Sequence, residues 1–582
     1  MLFATRRYSI MLLSAFCLCI IVPPNIGLGA DSPLTGYANY KTMVQQIGQL
    51  AKSEIVTQSS LGRTLGGRDV LLLTIGIGRK DQKPALLVVG NVEAAHLVGS
   101  EMAMRIARTL SEKGVKDPAV RKLLERYTVY VIPRPNPDGS EKCWEQPLRE
   151  PSGNARKTDD DRDGQAGEDG PEDLNGDGLI TMMRIEDDRG EFIPHPDDPR
   201  VMVKADPKKN ERGRFRLLVE GRDKDHDEQF AEDGAAGVSF NRNFTFNYPT
   251  YQAGAGPNQV SEIETRAVAD FAFNHPNIVA VLTFTPEDNL VHPWKPDANS
   301  EGQKAKTRLL TADTLAQDAM AAIYRKLLGQ ENAPDSPAGA GSFSDWAYFH
   351  YGHWSLAARA WWVPKVDAPP QPDSQKQEEK KDENKPTDAK LEKPAADTRG
   401  ADQINALAWL AKEKIDGFVD FKPIKHPDFP DKKVEVGGFK PLSRLNPPAK
   451  QLDALGQKHA HFVQEVLGQF PRVEIRDVKT EPLGAGVYRV TVAVVNEALL
   501  PTSPEMGRIA QQNYPVQVQL DLPEKTEFLK GSRRMAIDRI DGNGGRAERT
   551  WLVRLPEDKR TDAKIRVWAP SIGSTEVKVQ LK

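Results

Sequence analysis

In the first two thirds of the chain, continuous runs of apolar residues alternate with segments in which apolar residues recur at the spacing of a helix. The runs, which are typical of strands buried on both faces of a sheet, are residues 85–89, 127–132 and 278–284. Between the first two runs, apolar residues recur at helical spacing over residues 100–110. Strands that alternate with helices predict an α/β sheet, in which ligands bind beyond the carboxyl ends of the strands.

The pattern changes after Pro471. Apolar and polar residues alternate over 489–494, 516–522 and 576–581, with polar turns and no helical stretch between them. A period of two is typical of strands that bury one face only. We therefore predict a β-sandwich domain over residues 471–582.

The first 30 residues have the pattern of an export signal. Arg6 and Arg7 precede an apolar run over 10–22, and small residues at 27–30 offer a cleavage site. The run is shorter than the stretch of about 20 apolar residues that spans a bilayer. We therefore predict that residues 1–30 are removed, that no stable membrane insertion remains, and that the protein is exported to the periplasm or the extracellular space.

One internal segment is too polar to fold on its own. Residues 367–390 contain no Val, Ile, Leu, Met or aromatic residue. Such a segment cannot bury enough apolar surface to offset its ordering entropy. We predict a disordered insertion over 367–400 within a domain of residues 31–470, which also carries an acidic insertion over 157–235.

Composition narrows the range of partners. The chain has 79 Lys and Arg against 82 Asp and Glu, so no overall positive field points to a nucleic acid partner. Cys17 and Cys19 lie in the export signal, which leaves only Cys143 in the mature chain. A single cysteine excludes both an internal disulfide framework and a cysteine-based metal site.

The acidic insertion repeats the first half of a calcium-binding loop. Oxygen-bearing side chains alternate before a glycine in two stretches, at Asp159, Asp161 and Asp163 and again at Asp173, Asn175 and Asp177. Alternating oxygens surround a hard cation, and the glycine permits the sharp turn. The twelfth-position carboxylate is missing from both stretches, so a solvated acidic loop is the alternative to a calcium site.

Several motifs occur in a family-specific order. They are GNVEAAHLVGSE at 90–101, NPDG at 136–139, GVSFNRNF at 237–244, SEIETR at 261–266 and GSFSDWAY at 341–348. Together they resemble the zinc carboxypeptidase (carboxypeptidase A-like) family. The resemblance implies a mixed eight-stranded-type sheet flanked by helices, and a zinc-dependent peptidase that removes C-terminal residues.

The resemblance breaks at the positions that carry catalysis in the family. Glu93 and His96 stand where the family has H-x-x-E, so the two residue types are reversed, and Thr285 stands at the third-ligand position. A catalytic zinc needs about three protein ligands and an open position for water. Glu93 and His96 remain candidate zinc ligands, whereas Thr285 is not expected to bind. Arg359 falls in the region of the family's general base, so no catalytic residue is assigned.

The side of the site that binds the substrate anion is better preserved. Asn241 and Arg242 match the family's pair that holds the substrate carboxylate, and Arg156 lies in a segment resembling the one with the oxyanion arginine. The planar fork of arginine suits bidentate contact with a carboxylate. These three residues are the candidate binding residues for a peptide or amino-acid carboxylate.

Three functional hypotheses follow. The favoured one is a degenerate peptidase that binds peptide C-terminal carboxylates without cleaving them. Several residues of the catalytic unit are substituted, and the loss of a single such residue typically lowers the rate of catalysis by orders of magnitude. The second is an active zinc carboxypeptidase with an unusual ligand set. The third is an extracellular structural or adhesive protein in which the sandwich is the functional module.

Overall fold

The computed structural model describes residues 33–159, 170–224, 230, 237–297, 302–337, 339–366, 398–556 and 561–581. The expected export signal, the polar segment 367–390, Asp161 and Asp163 lie outside the described residues.

A mixed six-stranded sheet forms the centre of the α/β domain. Its strands, in spatial order, are β1 (Val56–Arg63), β2 (Asp69–Ile75), β4 (Thr128–Ile132), β3 (Ala85–Val89), β9 (Ile278–Phe284) and β10 (Trp354–Ala358). Strands β4, β3, β9 and β10 are parallel, whereas β1 and β2 pair antiparallel. The mixed sheet confirms the expected fold class, with six strands in the described residues where the resemblance implied eight.

Successive residues of β3 face two helical layers, as expected for a strand without polar positions. Leu86 and Val88 belong to one hydrophobic core, and Leu87 and Val89 to the other. The first layer contains α1 (Tyr40–Leu50), α2 (Leu97–Lys116), α3 (Pro118–Arg126), α6 (Thr311–Leu328), α8 (Ala401–Glu413) and α9 (Ala449–Gly468), and the second contains α5 (Ile263–Asn274) and α7 (Phe343–Phe349). The short helix α4 (Pro137–Glu141) follows β4. No helix within the described ranges is long and apolar enough to span a bilayer.

A second sheet, here called the insertion sheet, joins two distant parts of the sequence. Its strands, all antiparallel, are β11 (Phe418–Ile424), β12 (Val434–Phe439), β5 (Met182–Glu186), β8 (Phe215–Val219), β6 (Phe192–Pro194) and β7 (Met202–Lys204). Met183 and Ile185 pack with Val434 and Val436 in a small core of its own. Residues of the acidic insertion are therefore organised by strand pairing.

The C-terminal region forms two four-stranded sheets around one core. One contains β13 (Val473–Gly484), β14 (Val487–Asn496), β18 (Gly545–Arg554) and β16 (Glu527–Lys530), and the other β17 (Arg534–Ile537), β15 (Val516–Asp521), β19 (Thr561–Ala569) and β20 (Gly573–Leu581). Residues of both sheets share this core, with the fully buried Trp551 among its largest side chains. A short helix, α10 (Glu505–Ile509), interrupts a region in which no helix was expected.

Candidate functional site

The loops after two parallel strands bring two glutamates together. Glu93 lies in the loop after β3 and Glu287 in the loop after β9, and these strands are adjacent. The carboxyl ends of adjacent parallel strands meet at one edge of a sheet, where α/β proteins bind ligands. The Asn241 side chain joins the two acids, because its Nδ2 donates to Glu93 Oε1 at 2.9 Å and to Glu287 Oε1 at 3.3 Å.

Asn241 is fixed from its other side as well. Its Oδ1 accepts a hydrogen bond from the backbone N–H of Phe343, the first residue of α7, at 3.0 Å. The side chain is buried, with 1% of its surface exposed. Both donor hydrogens and the acceptor of this amide are therefore occupied, and Asn241 links three segments of the site.

A third carboxyl, that of Asp345 in α7, completes what we call the acid cluster, defined as Glu93, Glu287 and Asp345. Burial raises the pKa of Glu287 to about 8, and the charges of Glu93 and Asp345 act in the same direction. Burial also raises the pKa of Asp345 to about 7 and raises that of Glu93, although Asn241 and Arg242 oppose the latter shift. At neutral pH Glu287 is therefore mostly protonated and uncharged.

A cleft of about 890 Å³ adjoins the acid cluster. Its lining combines acidic, cationic and aromatic side chains, among them Glu287, Asp345, Lys295, Arg308, Trp294 and Phe349. The volume falls within the range of about 300–1,000 Å³ typical of ligand pockets. The mixture of charges and rings suits a ligand with both polar and apolar parts.

The three positions that the family uses for zinc do not present three donors to one point. The His96 ring bonds through Nε2 to the backbone oxygen of Arg359 at 3.0 Å, and its burial lowers its pKa to about 3. Its Nδ1 has no partner among the described residues. The Thr285 hydroxyl accepts from the backbone N–H of Glu287 at 3.3 Å, while Glu93 belongs to the acid cluster.

In the described part of the chain, no group of three or more His, Cys, Asp or Glu residues is arranged to hold a metal ion. A hydroxyl is a poor zinc ligand, and a single imidazole nitrogen does not replace the set of about three ligands that catalytic zinc requires. The residues present therefore do not fit the zinc that the family implies.

Arg359, expected in the region of the general base, acts as an anchor for backbone segments. It follows β10 and donates from Nε to the carbonyl of Pro286 at 2.8 Å, from Nη1 to that of Pro334 at 3.2 Å and from Nη2 to that of Asp335 at 3.0 Å. The residue is buried, which lowers the pKa of its guanidinium. Its donors are thus directed at carbonyl groups of the protein itself.

Arg242 retains hydrogen-bonding capacity. Its Nη2 donates to Gln252 Oε1 at 3.0 Å, whereas its buried Nε has no partner among the described residues. The charge of Arg242 also lowers the pKa of Glu93, which places the guanidinium within electrostatic reach of the acid cluster. Among the described contacts, the guanidinium of Arg242 is therefore only partly used.

Arg156 belongs to a separate buried network. Its Nε donates to both carboxylate oxygens of Glu262 at 3.0 Å. Asn154 Nδ2 donates to Glu262 at 2.8 Å and to Glu264 at 2.6 Å. Burial raises the pKa of Glu264 to about 7. The structure thus gives Arg156 an internal partner in Glu262.

The second acidic stretch forms a tight turn in which carboxylates accept from the backbone. Asp173 accepts through Oδ1 from the N–H of Gly176 and through Oδ2 from that of Gly178, both at 2.7 Å. Asn175 Oδ1 accepts from the N–H of Asp177 at 2.9 Å. These oxygens have internal hydrogen-bond donors in this conformation.

Sequence reasoning missed two members of the acid cluster. Glu287 lies three residues after the end of the buried strand β9, so its place at the carboxyl end of that strand was a usable signal. Asp345 lies within the motif at 341–348, but nothing in its spacing indicates a raised pKa. Only the fold brings these side chains close to Glu93.

Comparison with known proteins agrees with the fold and the motifs. The zinc carboxypeptidase family matches residues 43–361, and a domain of unknown function matches residues 472–580. The first match covers more than half of the chain. The chain therefore belongs to the zinc carboxypeptidase family.

Individual relatives are distant. A zinc carboxypeptidase of Saccharothrix mutabilis subsp. capreolus is 27% identical over 143 residues, covering 22% of this chain and 33% of the relative. Carboxypeptidase E of Caenorhabditis elegans is 24% identical over 143 residues, which cover 22% of this chain and 30% of the relative. This chain thus matches about a third of the length of these relatives.

Among solved structures, thrombin activatable fibrinolysis inhibitor is similar with a TM-score of 0.34 and 13% identity, over 55% of this chain and 65% of that chain. The carboxypeptidase A of Helicoverpa armigera is similar with a TM-score of 0.32 and 15% identity, over 55% of this chain and 63% of that chain.

Proposed function

We propose that this chain is an exported, non-hydrolytic member of the zinc carboxypeptidase family that binds peptide C-terminal carboxylates. The observation that carries the proposal is the arrangement of Glu93, His96 and Thr285, which does not converge on a metal position. Without a bound metal, the family's chemistry lacks the group that activates water and polarises the scissile carbonyl. Arg359, directed at three carbonyls, does not replace a general base.

The protonation of the acid cluster supports an anionic ligand. A carboxylate bound by Arg242 would lie within electrostatic reach of Glu93, which Asn241 joins to Glu287, and ionised acids would repel it. The raised pKa of Glu287, about 8, leaves this group mostly uncharged at pH 7. The partly exposed guanidinium of Arg242 then supplies the charge-assisted hydrogen bond.

The proposal also includes export of the chain and calcium binding by the acidic insertion. The charged start and apolar run of residues 1–30 support export. The loop of Asp173, Asn175 and Asp177 supports calcium binding through the spacing of its oxygens, provided that the ion displaces the internal backbone hydrogen bonds.

The first experiment measures metal content and hydrolysis together. Elemental mass spectrometry of the purified mature chain is expected to find far less than one zinc per chain, and blocked dipeptides are expected to release no C-terminal amino acid. Glu93→Ala and His96→Ala should leave both results unchanged. Stoichiometric zinc and measurable release, both lost in these variants, would establish the active peptidase instead. The same measurement reports bound calcium.

Ligand binding at Arg242 is expected to depend on pH. Arg242→Leu should weaken binding of a peptide carboxylate at least about tenfold, since hydrogen bonds to charged groups contribute about 1.5–3 kcal/mol. In the unsubstituted protein, affinity should fall as pH rises through about 8, because Glu287 ionises and repels the ligand. Isothermal titration calorimetry between pH 6 and 9 measures both effects.

The matched control is Arg266→Leu, which removes an exposed arginine that donates to the Val260 carbonyl. It should leave affinity unchanged. Equal affinity for a peptide acid and the corresponding peptide amide would contradict the proposal. If removal of residues 471–582 abolished binding while Arg242→Leu did not, the sandwich would be the functional module.

A further inference from the structure

Two cavities on either side of Arg444 form a groove that is separate from the acid cluster. One has a volume of about 490 Å³ and the other of about 600 Å³. Glu150 and Arg444 line both cavities, which are therefore neighbours, and His96 and Arg359 also line the larger one. We call this feature the Arg444 groove. Neither Glu93 nor Glu287 lines it.

Aromatic side chains form much of its lining. Phe418, Phe421 and Phe439, from the insertion-sheet strands β11 and β12, line the smaller cavity. Trp361 and Trp362, which follow β10, line the larger cavity. The two tryptophans are almost fully buried, whereas the three phenylalanines are half-buried and present ring surface to the smaller cavity. Such rings favour contact with an aromatic or large apolar group.

Arg444 differs from the other arginines of the smaller cavity. Arg149 is paired with Glu145 at 3.1 Å, and Arg200 is paired with Asp198 at 2.7 Å. Within the described ranges, Arg444 makes no ion pair and no hydrogen bond from its guanidinium. Its guanidinium carbon lies 4.3 Å from the centre of the Phe439 ring, so the ring holds the planar group in place.

Arg444 can be reached from the groove. Its side chain is exposed, while the surrounding protein lowers the pKa of its guanidinium and Glu150 acts in the opposite direction without forming an ion pair with it. An anion that reaches the fork of Arg444 from the groove would form charge-assisted hydrogen bonds with it.

We propose that the Arg444 groove binds a carboxylate carried by an aromatic or large apolar group. The carboxylate meets the guanidinium fork, which suits bidentate contact, and the apolar group enters the cavity lined by the phenylalanines. Both cavities are within the usual size of ligand sites. A free acylated amino acid and the C-terminus of a peptide share this chemistry. The site is additional to the one at Arg242 and does not depend on it.

The test uses the full-length mature protein and N-acetyl-L-phenylalanine in isothermal titration calorimetry. The acid is expected to bind, whereas N-acetyl-L-phenylalaninamide, which lacks the charge, is expected to bind at least about tenfold more weakly. Arg444→Leu should weaken binding of the acid by a similar factor. Arg444→Lys should recover part of it, because the charge remains but the fork is lost. A tetrapeptide ending in phenylalanine then distinguishes a peptide terminus from a free acid.

Two controls keep the result interpretable. Arg476→Leu removes an exposed arginine of the sandwich that pairs with Glu474 and Glu497, and it should leave the titration unchanged. Because N-acetyl-L-phenylalanine is also a ligand for the proposed site at Arg242, the binding that persists in Arg242→Leu is the component assigned to the Arg444 groove, and Arg444→Leu is compared in that background. Circular dichroism melting checks that each variant is folded. Absence of binding, or loss of binding in Arg242→Leu but not in Arg444→Leu, would overturn the proposal, and the second result would leave the site at Arg242 standing.

Discussion

Asp313→Ala is expected to lower the free energy of unfolding by about 3–5 kcal/mol, the cost of breaking a buried ion pair from one side. The Asp313 side chain is fully buried in α6 and accepts four donors. Its Oδ1 accepts from the N–H of Glu505 at 2.8 Å and lies 3.2 Å from Arg539 Nη1. Its Oδ2 accepts from the Tyr348 hydroxyl at 2.8 Å and from the N–H of Met506 at 3.2 Å.

Three of these donors belong to the C-terminal region, so the substitution should loosen its attachment to the α/β domain. Differential scanning calorimetry is expected to show a lowered transition that separates into two, and limited proteolysis should become faster near residue 471. Asp541→Ala is the matched control, because Asp541 pairs with the same Arg539 at 3.1 Å but is 77% exposed. Equal losses in both variants would show that the buried carboxylate has no special role.

Glu287→Gln is expected to stabilise the protein at neutral and alkaline pH. The folded-state pKa of Glu287 is about 8, against an ordinary value of 4.5. Between these values the unfolded chain releases a proton that the folded chain retains, so rising pH destabilises the folded state. Each pKa unit corresponds to about 1.4 kcal/mol, and with the charge shared over the acid cluster we expect a gain of about 2–4 kcal/mol at pH 8–9.

The sign can be checked by varying pH. The advantage of Glu287→Gln should be small near pH 5, grow as pH rises and level off above about 8, where the folded state also ionises. Urea unfolding at a series of pH values measures this curve. Glu331→Gln, at an exposed position, should show no such dependence. An advantage that is independent of pH would mean that Glu287 is already ionised in the folded protein.

The local pattern of apolar and polar residues was sufficient to predict much of the fold. The apolar runs at 85–89 and 278–284 coincide with β3 and β9, because a strand covered on both faces tolerates few polar residues. The helical spacing over 100–110 likewise falls within α2, because one face of this helix packs against the sheet. The family motifs then located Glu93, Asn241 and Arg242 on their loops.

The rest depended on contacts between residues far apart in sequence. Arg184 of β5 donates to Glu435 of β12 at 2.6 Å across a sequence separation of 251 residues, and no local pattern specifies this partner. The sequence also does not specify the direction of a long side chain. The resemblance therefore placed Arg359 near the site, but its hydrogen bonds to backbone carbonyls could not be predicted. The pKa values of the acid cluster depend on burial and on mutual distance, which are properties of the assembled site.

The anchoring role of Arg359 also affects how this chain could change over evolution. A glutamate at this position would introduce an acid but would leave the carbonyls of Pro286, Pro334 and Asp335 without their shared donor. It would also add negative charge to a region that already contains buried carboxyls. If the chain is non-hydrolytic as proposed, the gain of an acid at this position would therefore pass through a less stable intermediate, unless a second substitution first supports the same segments.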